Sequence, residues 1–402
     1  MSEIGSLLLS LAIVGIISST VYLLLTLAGF LKFRKEAALQ KQKAAAMDPS
    51  KLPGISILKP LHGIEVQLER NLESFFKQDY AGDFEIIFAV DRADDAARPI
   101  AEKVRAKYPR IASKILITGD SIWPNPPAHS FSRMAEVAKN DLLVTSDSDV
   151  EVDPAYLAEI APVFHDPNVG MSTCVYRGLN RGGIWSALDA SGMSVEMTAG
   201  VLVANLLEGM KFGLGPTIAV RRKALDAIGG FKALGHYFSN DFVIGNMIAA
   251  QGFRVVLSRH VISHVVPPMS FRRMWQRQVR WATGTKYSRP KGHFGSILVF
   301  AMPYGVLGLV ASLLTRHPAL GIDLFCVSVL NRIIEGYFIG WRVARDRECV
   351  DELWLYPLRD LLGSAVWVAS YLSRKMHWRD GRFELVEGGL IRTRDQVTVE
   401  QE

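Results

Sequence analysis

Cysteine is scarce in this 402-residue chain. Cys174, Cys326 and Cys349 are odd in number and far apart, so they suggest neither a disulfide framework nor a zinc site. A reducing compartment fits such usage. The glycine-rich nucleotide signatures are missing as well. Neither G-x-G-x-x-G nor G-x-x-x-x-G-K-[ST] occurs, which leaves the common dinucleotide and P-loop readings without support. There is no internal repeat and no low-complexity tract. Charge is also sparse, at 21% of residues against 49% hydrophobic, and the mean hydropathy is +0.16. A soluble protein of this size sits below zero, so part of the chain is expected to lie in lipid. The net charge of +6 and the pI of about 9.1 suit either nucleic acid or an anionic membrane surface. Long apolar runs favour the bilayer and give no reason to invoke nucleic acid.

Charge is absent altogether from Ile4 to Leu31, longer than the roughly 20 residues a helix needs to cross a bilayer. No small-residue cleavage site comes after it, so residues 4–31 read as a transmembrane anchor. Lys32, Arg34, Lys35, Lys41 and Lys43 come next, and the positive-inside rule puts the chain beyond Leu31 in the cytoplasm. A second span runs from Phe294 to Leu314, inside an uncharged window from Gly292 to Thr315. Pro318 to Trp341 is long enough but carries Asp323, Arg332 and Glu335, and Leu361 to Ser373 is uncharged but short. Four crossings would put the basic tail (Arg374, Lys375, Arg379, Arg382) outside, against the charge rule. A re-entrant or interfacial last segment would resolve the conflict. The expected organisation is an anchor (4–31), a cytoplasmic catalytic domain (50–265), an interfacial amphipathic region (267–290), C-terminal membrane segments (292–373) and a basic tail (374–402).

Within the central block, strand and helix patterns alternate. Strands are expected at Ile55–Leu58, Phe84–Val90, Lys114–Thr118 and Leu142–Thr145. Helical spacing recurs at Leu68, Leu72, Phe75 and Phe76, at Ala96–Tyr108 and at Arg133–Lys139. This alternation predicts an α/β domain with a mostly parallel sheet, whose ligands bind at the carboxyl ends of the strands. Two acidic groups fall there: Asp91-Arg-Ala-Asp94-Asp95 and Ser146-Asp147-Ser148-Asp149. Crowded carboxylates call for a cation, and a hard ion such as Mg²⁺ or Mn²⁺ takes such oxygens together with substrate phosphates. The bland alternative is a solvated acidic turn. Asp241, in Ser239-Asn-Asp-Phe242, precedes a helical run and has the plain alternative of a helix cap. Phe271-Arg-Arg-Met-Trp-Gln-Arg277-Gln-Val-Arg280-Trp281 suits an interfacial helix, in which Arg280 could also clamp a diphosphate. His129, His236 and His264 share no metal-ligand spacing and read as ordinary histidines.

Taken in order, these elements resemble the ceramide glucosyltransferase family. The likeness includes Ser50-Lys-Leu-Pro-Gly-Ile-Ser-Ile-Leu-Lys-Pro-Leu, Asn71-Leu-Glu-Ser-Phe-Phe, Asp79-Tyr80 and Trp378-Arg-Asp-Gly-Arg-Phe. It covers nearly the whole chain from residue 50. The resemblance implies a GT-A fold flanked by N- and C-terminal transmembrane helices, and an inverting, metal-assisted transfer from a UDP-sugar to a membrane lipid. It also implies residue roles. Asp95 would contact the nucleotide, Asp147 the metal and diphosphate, and Asp241 would be the catalytic base; Arg277, Arg280 and Trp281 match the last motif. Asp149 joins the metal pair by its spacing from Asp147. Three departures stand out: Pro127 where the family has a lysine, Asn240 where it has an acidic residue, and a variant loop in which Asp91 or Asp94 could serve the donor. Rival readings are a hopanoid or other lipid acceptor, a processive polysaccharide synthase, and a catalytically silent binding protein.

Overall fold

The computed structural model describes residues 2–372, 375–378 and 381–392. Of the basic tail, Arg374 and Arg379 fall outside the described residues. The chain divides into two compact units.

One unit (33–176, 208–265 and 383–402) is built on an eight-stranded sheet, order β3-β2-β1-β4-β7-β6-β8-β5. The strands are β1 (Ile55–Pro60), β2 (Phe84–Val90), β3 (Ala112–Ile117), β4 (Leu142–Ser146), β5 (Val150–Glu151), β6 (Val169–Asn180), β7 (Thr217–Arg221) and β8 (Arg254–Val266). β1 pairs parallel with β2 and β4, and β2 with β3. β1, β2 and β4 are short apolar runs buried on both faces, as central parallel strands must be. The helices α2 (Leu68–Ser74), α3 (Ala97–Lys107) and α4 (Pro126–Val137) supply the crossovers. Past β4 the sheet turns antiparallel: β4 with β7, β7 with β6, and β5 with β8. The short helices α5 (Tyr156–Ile160) and α8 (Arg222–Ala227), with α9 (Asn240–Ala250), complete this half. The α/β class expected for a GT-A domain holds, but the sheet is mixed rather than mostly parallel, since only β1–β4 run parallel. Its core lies in two layers, one around Leu72, Phe75, Phe88 and Tyr156, the other around Phe131, Met134, Ile218 and Ile248. A C-terminal hairpin of β10 (Gly381–Val386) and β11 (Leu390–Arg392) comes after β9 (Lys375–Trp378). It bonds to the segment before α9, with Phe238 N–H donating to Gly389 O (2.9 Å) and Ile391 N–H to His236 O (2.8 Å).

The other unit (1–32, 177–207 and 266–382) is helical. Helix α1 (Ser2–Ala45) enters it at its N-terminal end. A long helix comes second, α6 (Ile184–Ser191) running through a π-helical segment (Gly192–Met197) into α7 (Thr198–Leu207). Then come α10 (Phe271–Ser288), α11 (Pro290–Gly295), α12 (Met302–Leu314), α13 (Pro318–Gly336), α14 (Arg347–Asp351) and α15 (Tyr356–Leu372). Among the described residues, two helices are long and apolar enough to cross a membrane: Glu3–Ala45 and Ile184–Leu207. Pro290–Val299 and Met302–Leu314 form a third if a 49° bend between them is one broken span. The span at 184–207 was not expected from the sequence. Its apolar run is interrupted by Asp189 and Glu196 and sits between strands.

Arg332, Glu335, Arg359 and Asp360 in the C-terminal helices are buried and matched. Arg332 Nη1 lies 2.8 Å from Glu335 and 3.2 Å from Asp360. The other Asp360 oxygen accepts from Ala301 N–H (2.9 Å) and Met302 N–H (2.8 Å), satisfying donors at the start of α12. Unpaired, each of these groups would cost several kcal/mol in such surroundings.

Candidate active site

The turn Asp147-Ser148-Asp149 leaves the carboxyl end of β4, and each of its carbonyls is held by a different donor. Lys59 Nζ donates to Asp147 O (2.7 Å), Asn71 Nδ2 to Ser148 O (3.2 Å), and Val265 N–H to Asp149 O (2.8 Å). Asp147 N–H donates to Pro216 O (3.3 Å). With its carbonyls taken up in this way, the turn is fixed. This geometry departs from a solvated acidic turn.

Lys59, near the end of β1, has no exposed surface. Its ammonium sits 3.7 Å from the Phe75 ring centroid and 3.4 Å from Ser146 Oγ. Burial pushes it down to about 7, against the pull of Asp147, Asp149 and Glu65. The Asp147 carboxyl is raised well above the usual aspartate range, first by burial and then by Asp149, with Lys59 opposing. Asp149 Oδ2 lies 3.3 Å from His264 Nε2. Antiparallel pairing of β5 and β8, which sets Val150 opposite His264, brings this histidine there. Lys59 and His264 were not candidates from sequence. The first was visible only as a lysine closing an apolar strand run. The second is far from Asp149 in the chain.

Asp241 lies in the first turn of α9. The helix cap is Ser239, whose side chain makes no capping bond. Asp241 Oδ2 instead accepts Gly215 N–H (2.9 Å), and its carbonyl accepts Gly213 N–H (3.0 Å). Burial raises its carboxyl above the usual 3.8, while backbone donors at Phe242 and Gly215 pull the other way. Its charge is felt at Asp147. Asp95 accepts from Ala97 N–H (2.8 Å) at the start of α3 and from Gly63 N–H (3.0 Å), with His62 Nδ1 3.8 Å away. Gly63 has φ +65°, a conformation that favours glycine, which lets the loop after β1 fold onto Asp95. Asp91 is also near His62, at 3.9 Å. Asp94 turns to solvent and pairs with Arg92. At the departure Asn125-Pro-Pro, Asn125 caps α4 by accepting Ala128 N–H, and its amide donates to Tyr237 O (2.7 Å). Pro126 and Pro127 begin the helix, where a missing N–H costs nothing.

Arg277, Arg280 and Trp281 belong to α10 in the helical unit. Arg277 stacks on Trp281, 4.5 Å from the ring centroid. Burial, and then the neighbouring Arg277, lower the Arg280 guanidinium. Among the described residues, no three His, Cys, Asp or Glu side chains form a metal cage.

The model of glycosyl transferase family 21 matches residues 8–391. Ceramide glucosyltransferase 1 of Caenorhabditis elegans is 25% identical over 360 residues, spanning 86% of this chain and 74% of that protein. The ceramide glucosyltransferase of Komagataella phaffii is 35% identical over 147 residues, 35% of this chain and 28% of that one. Among solved structures, mannosyltransferase PcManGT from Pyrobaculum calidifontis, in complex with GDP-Man and Mn2+, is 18% identical with a TM-score of 0.45, covering 87% of this chain and 99% of that one. The chain belongs to glycosyl transferase family 21 and is a hexosyltransferase.

Proposed function

We propose that this protein transfers a hexose, glucose in the first instance, from a UDP-sugar to a hydroxyl of a ceramide-like membrane lipid, with inversion at the anomeric carbon. The observation that carries the reading is the clamped Asp147-Ser-Asp149 turn, with Asp241 held nearby by the Gly215 amide. Relatives matched over most of the chain are ceramide glucosyltransferases. The Asp241 carboxyl, raised above the usual 3.8, favours a base that accepts a proton readily. Asp241 takes the proton of the acceptor hydroxyl as that oxygen attacks the anomeric carbon and the bond to UDP breaks. One displacement suffices, so no covalent intermediate and no nucleophile are required.

Asp147 and Asp149 would hold Mg²⁺ or Mn²⁺, and two mutually repelling carboxylates fit an ion that takes its other oxygens from water and phosphate. When bound, that ion would neutralise charge on the departing diphosphate. Asp95, with Asp91, would meet the nucleotide. Arg277, Arg280 and Trp281 would grip the diphosphate. The domain plan that goes with this reading is an anchor at 4–31, a cytoplasmic catalytic domain at 50–265 interrupted by the apolar helix at 184–207, an interfacial helix region at 267–290 and membrane segments from 292, in the inner membrane. The test is a screen of purified enzyme with UDP-glucose, UDP-galactose and UDP-N-acetylglucosamine against ceramide, a hopanoid alcohol and diacylglycerol, read by mass spectrometry. A single hexose on ceramide is expected. A polymer product, or transfer to every lipid except ceramide, would overturn the assignment.

A further inference from the structure

Asp189 is a fully buried carboxylate in a helix long and apolar enough to cross a membrane. A buried charge must be matched or removed. Here it is matched, and the partners come from α10. Gln278 Nε2 donates to Asp189 Oδ1, and Arg277 Nη1 lies 3.5 Å from Asp189 Oδ2. Gln278 is itself held from the far side: its Oε1 accepts from Arg359 Nη2 (2.9 Å). Arg359 is in turn paired with Glu196 at 2.7 Å. Room for that guanidinium depends on Gly192, where a Cβ would stand 2.5 Å from Arg359 Nε. The helix carrying Asp189 widens, just after it, into a π segment (Gly192–Met197) that contains Glu196, a feature frequent at functional sites.

We propose that Asp189 is a positioning residue for the Arg277-Gln-Val-Arg-Trp281 segment. One of its oxygens accepts from Gln278, and the other faces Arg277 across an ion pair without a hydrogen bond, so that the Arg277 guanidinium is drawn to the rotamer in which it stacks on Trp281 and meets the diphosphate. The inference rests on the reading of Arg277 as a donor-binding residue. It goes further in assigning a transmembrane-type helix, outside the sugar-nucleotide sheet, as the support of that residue. An arginine left to choose among its rotamers loses the preorganisation on which bidentate phosphate binding depends.

The test is a double-mutant cycle of D189N and R277Q on the full-length enzyme in detergent, with UDP-glucose as donor. Asparagine keeps the acceptor for Gln278 and removes the charge facing Arg277. D189N should raise the donor KM and weaken UDP inhibition by about tenfold, the scale of one charge-assisted hydrogen bond to phosphate, with the acceptor KM unchanged. The double variant should be no worse than R277Q alone. Additive losses, or a fall in kcat with the donor KM intact, would overturn the proposal, because a purely structural role lowers active enzyme without choosing between substrates. If R277Q itself leaves donor kinetics unchanged, the donor-site reading fails instead. Should D189N not fold, D189E keeps the charge one methylene further out and is expected to give the same selective rise in donor KM. Wild-type donor kinetics in D189E would also refute the inference.

Discussion

Replacing Lys59 by methionine should make the protein more stable below neutral pH and less active at every pH. The ammonium is pushed down from 10.5 to about 7 by burial, after Asp147, Asp149 and Glu65 have done what they can to hold it up. A depression of that size corresponds to about 5 kcal/mol at roughly 1.4 kcal/mol per unit. The folded state therefore binds fewer protons than the unfolded state between about pH 7 and 10.5. The penalty is present in full below pH 7 and disappears as pH rises to the unfolded value. Methionine fills the same space over Phe75 and carries no such penalty. Against this stands the lost bond to Asp147 O, whose carbonyl would go partly unmet at a cost of about 1–3 kcal/mol. The balance favours K59M by roughly 2 kcal/mol or more at pH 6 and disfavours it near pH 10. Melting temperatures of both proteins in detergent, without donor or divalent metal, should cross as pH is raised. Parallel curves from pH 6 to 10 would refute the reasoning. Activity should fall by at least about tenfold, because the turn carrying Asp147 loses one of its three carbonyl clamps.

Asp241→Asn should abolish transfer while UDP binding, measured by calorimetry, survives; near-normal turnover would remove Asp241 as the base. Because burial raises the Asp241 carboxyl above 3.8, activity should be lost as pH falls through that raised value, at a higher pH than an exposed aspartate would give. The acid limb of kcat/KM reads this directly. Asp94→Ala should leave the donor KM within about twofold, since its carboxylate turns to solvent and pairs with the exposed Arg92. Asp95→Ala should raise the donor KM, because it releases both Gly63 and the start of α3.

The parallel half of the sheet was legible because each strand is a short apolar run with a helical pattern after it. Helix ends were less so. The helix expected from Arg133 starts at Pro126, where Asn125 and the two prolines set its first turn. The pairing of the antiparallel half was not legible, since β6 and β8 carry polar residues such as Thr173 and Ser263 whose partners come from distant segments. The D-x-D turn could be read from spacing alone; what holds it could not. Asn71 and Val265 reach it from opposite ends of the unit's sequence. The helix at 184–207 hid for a different reason. Its acidic residues lower its hydropathy, and only their partners on α10 and α15 account for them.

The three clamps on the Asp147-Ser-Asp149 turn come from residues 59, 71 and 265. During synthesis the first two are available early, whereas Val265 emerges only after some two-thirds of the chain. Until then the β5–β8 pairing that carries the last clamp cannot exist. A half-made chain would thus hold the acidic residues without the shape of the finished turn. The turn's final shape arrives only with completion of the sheet, late in synthesis.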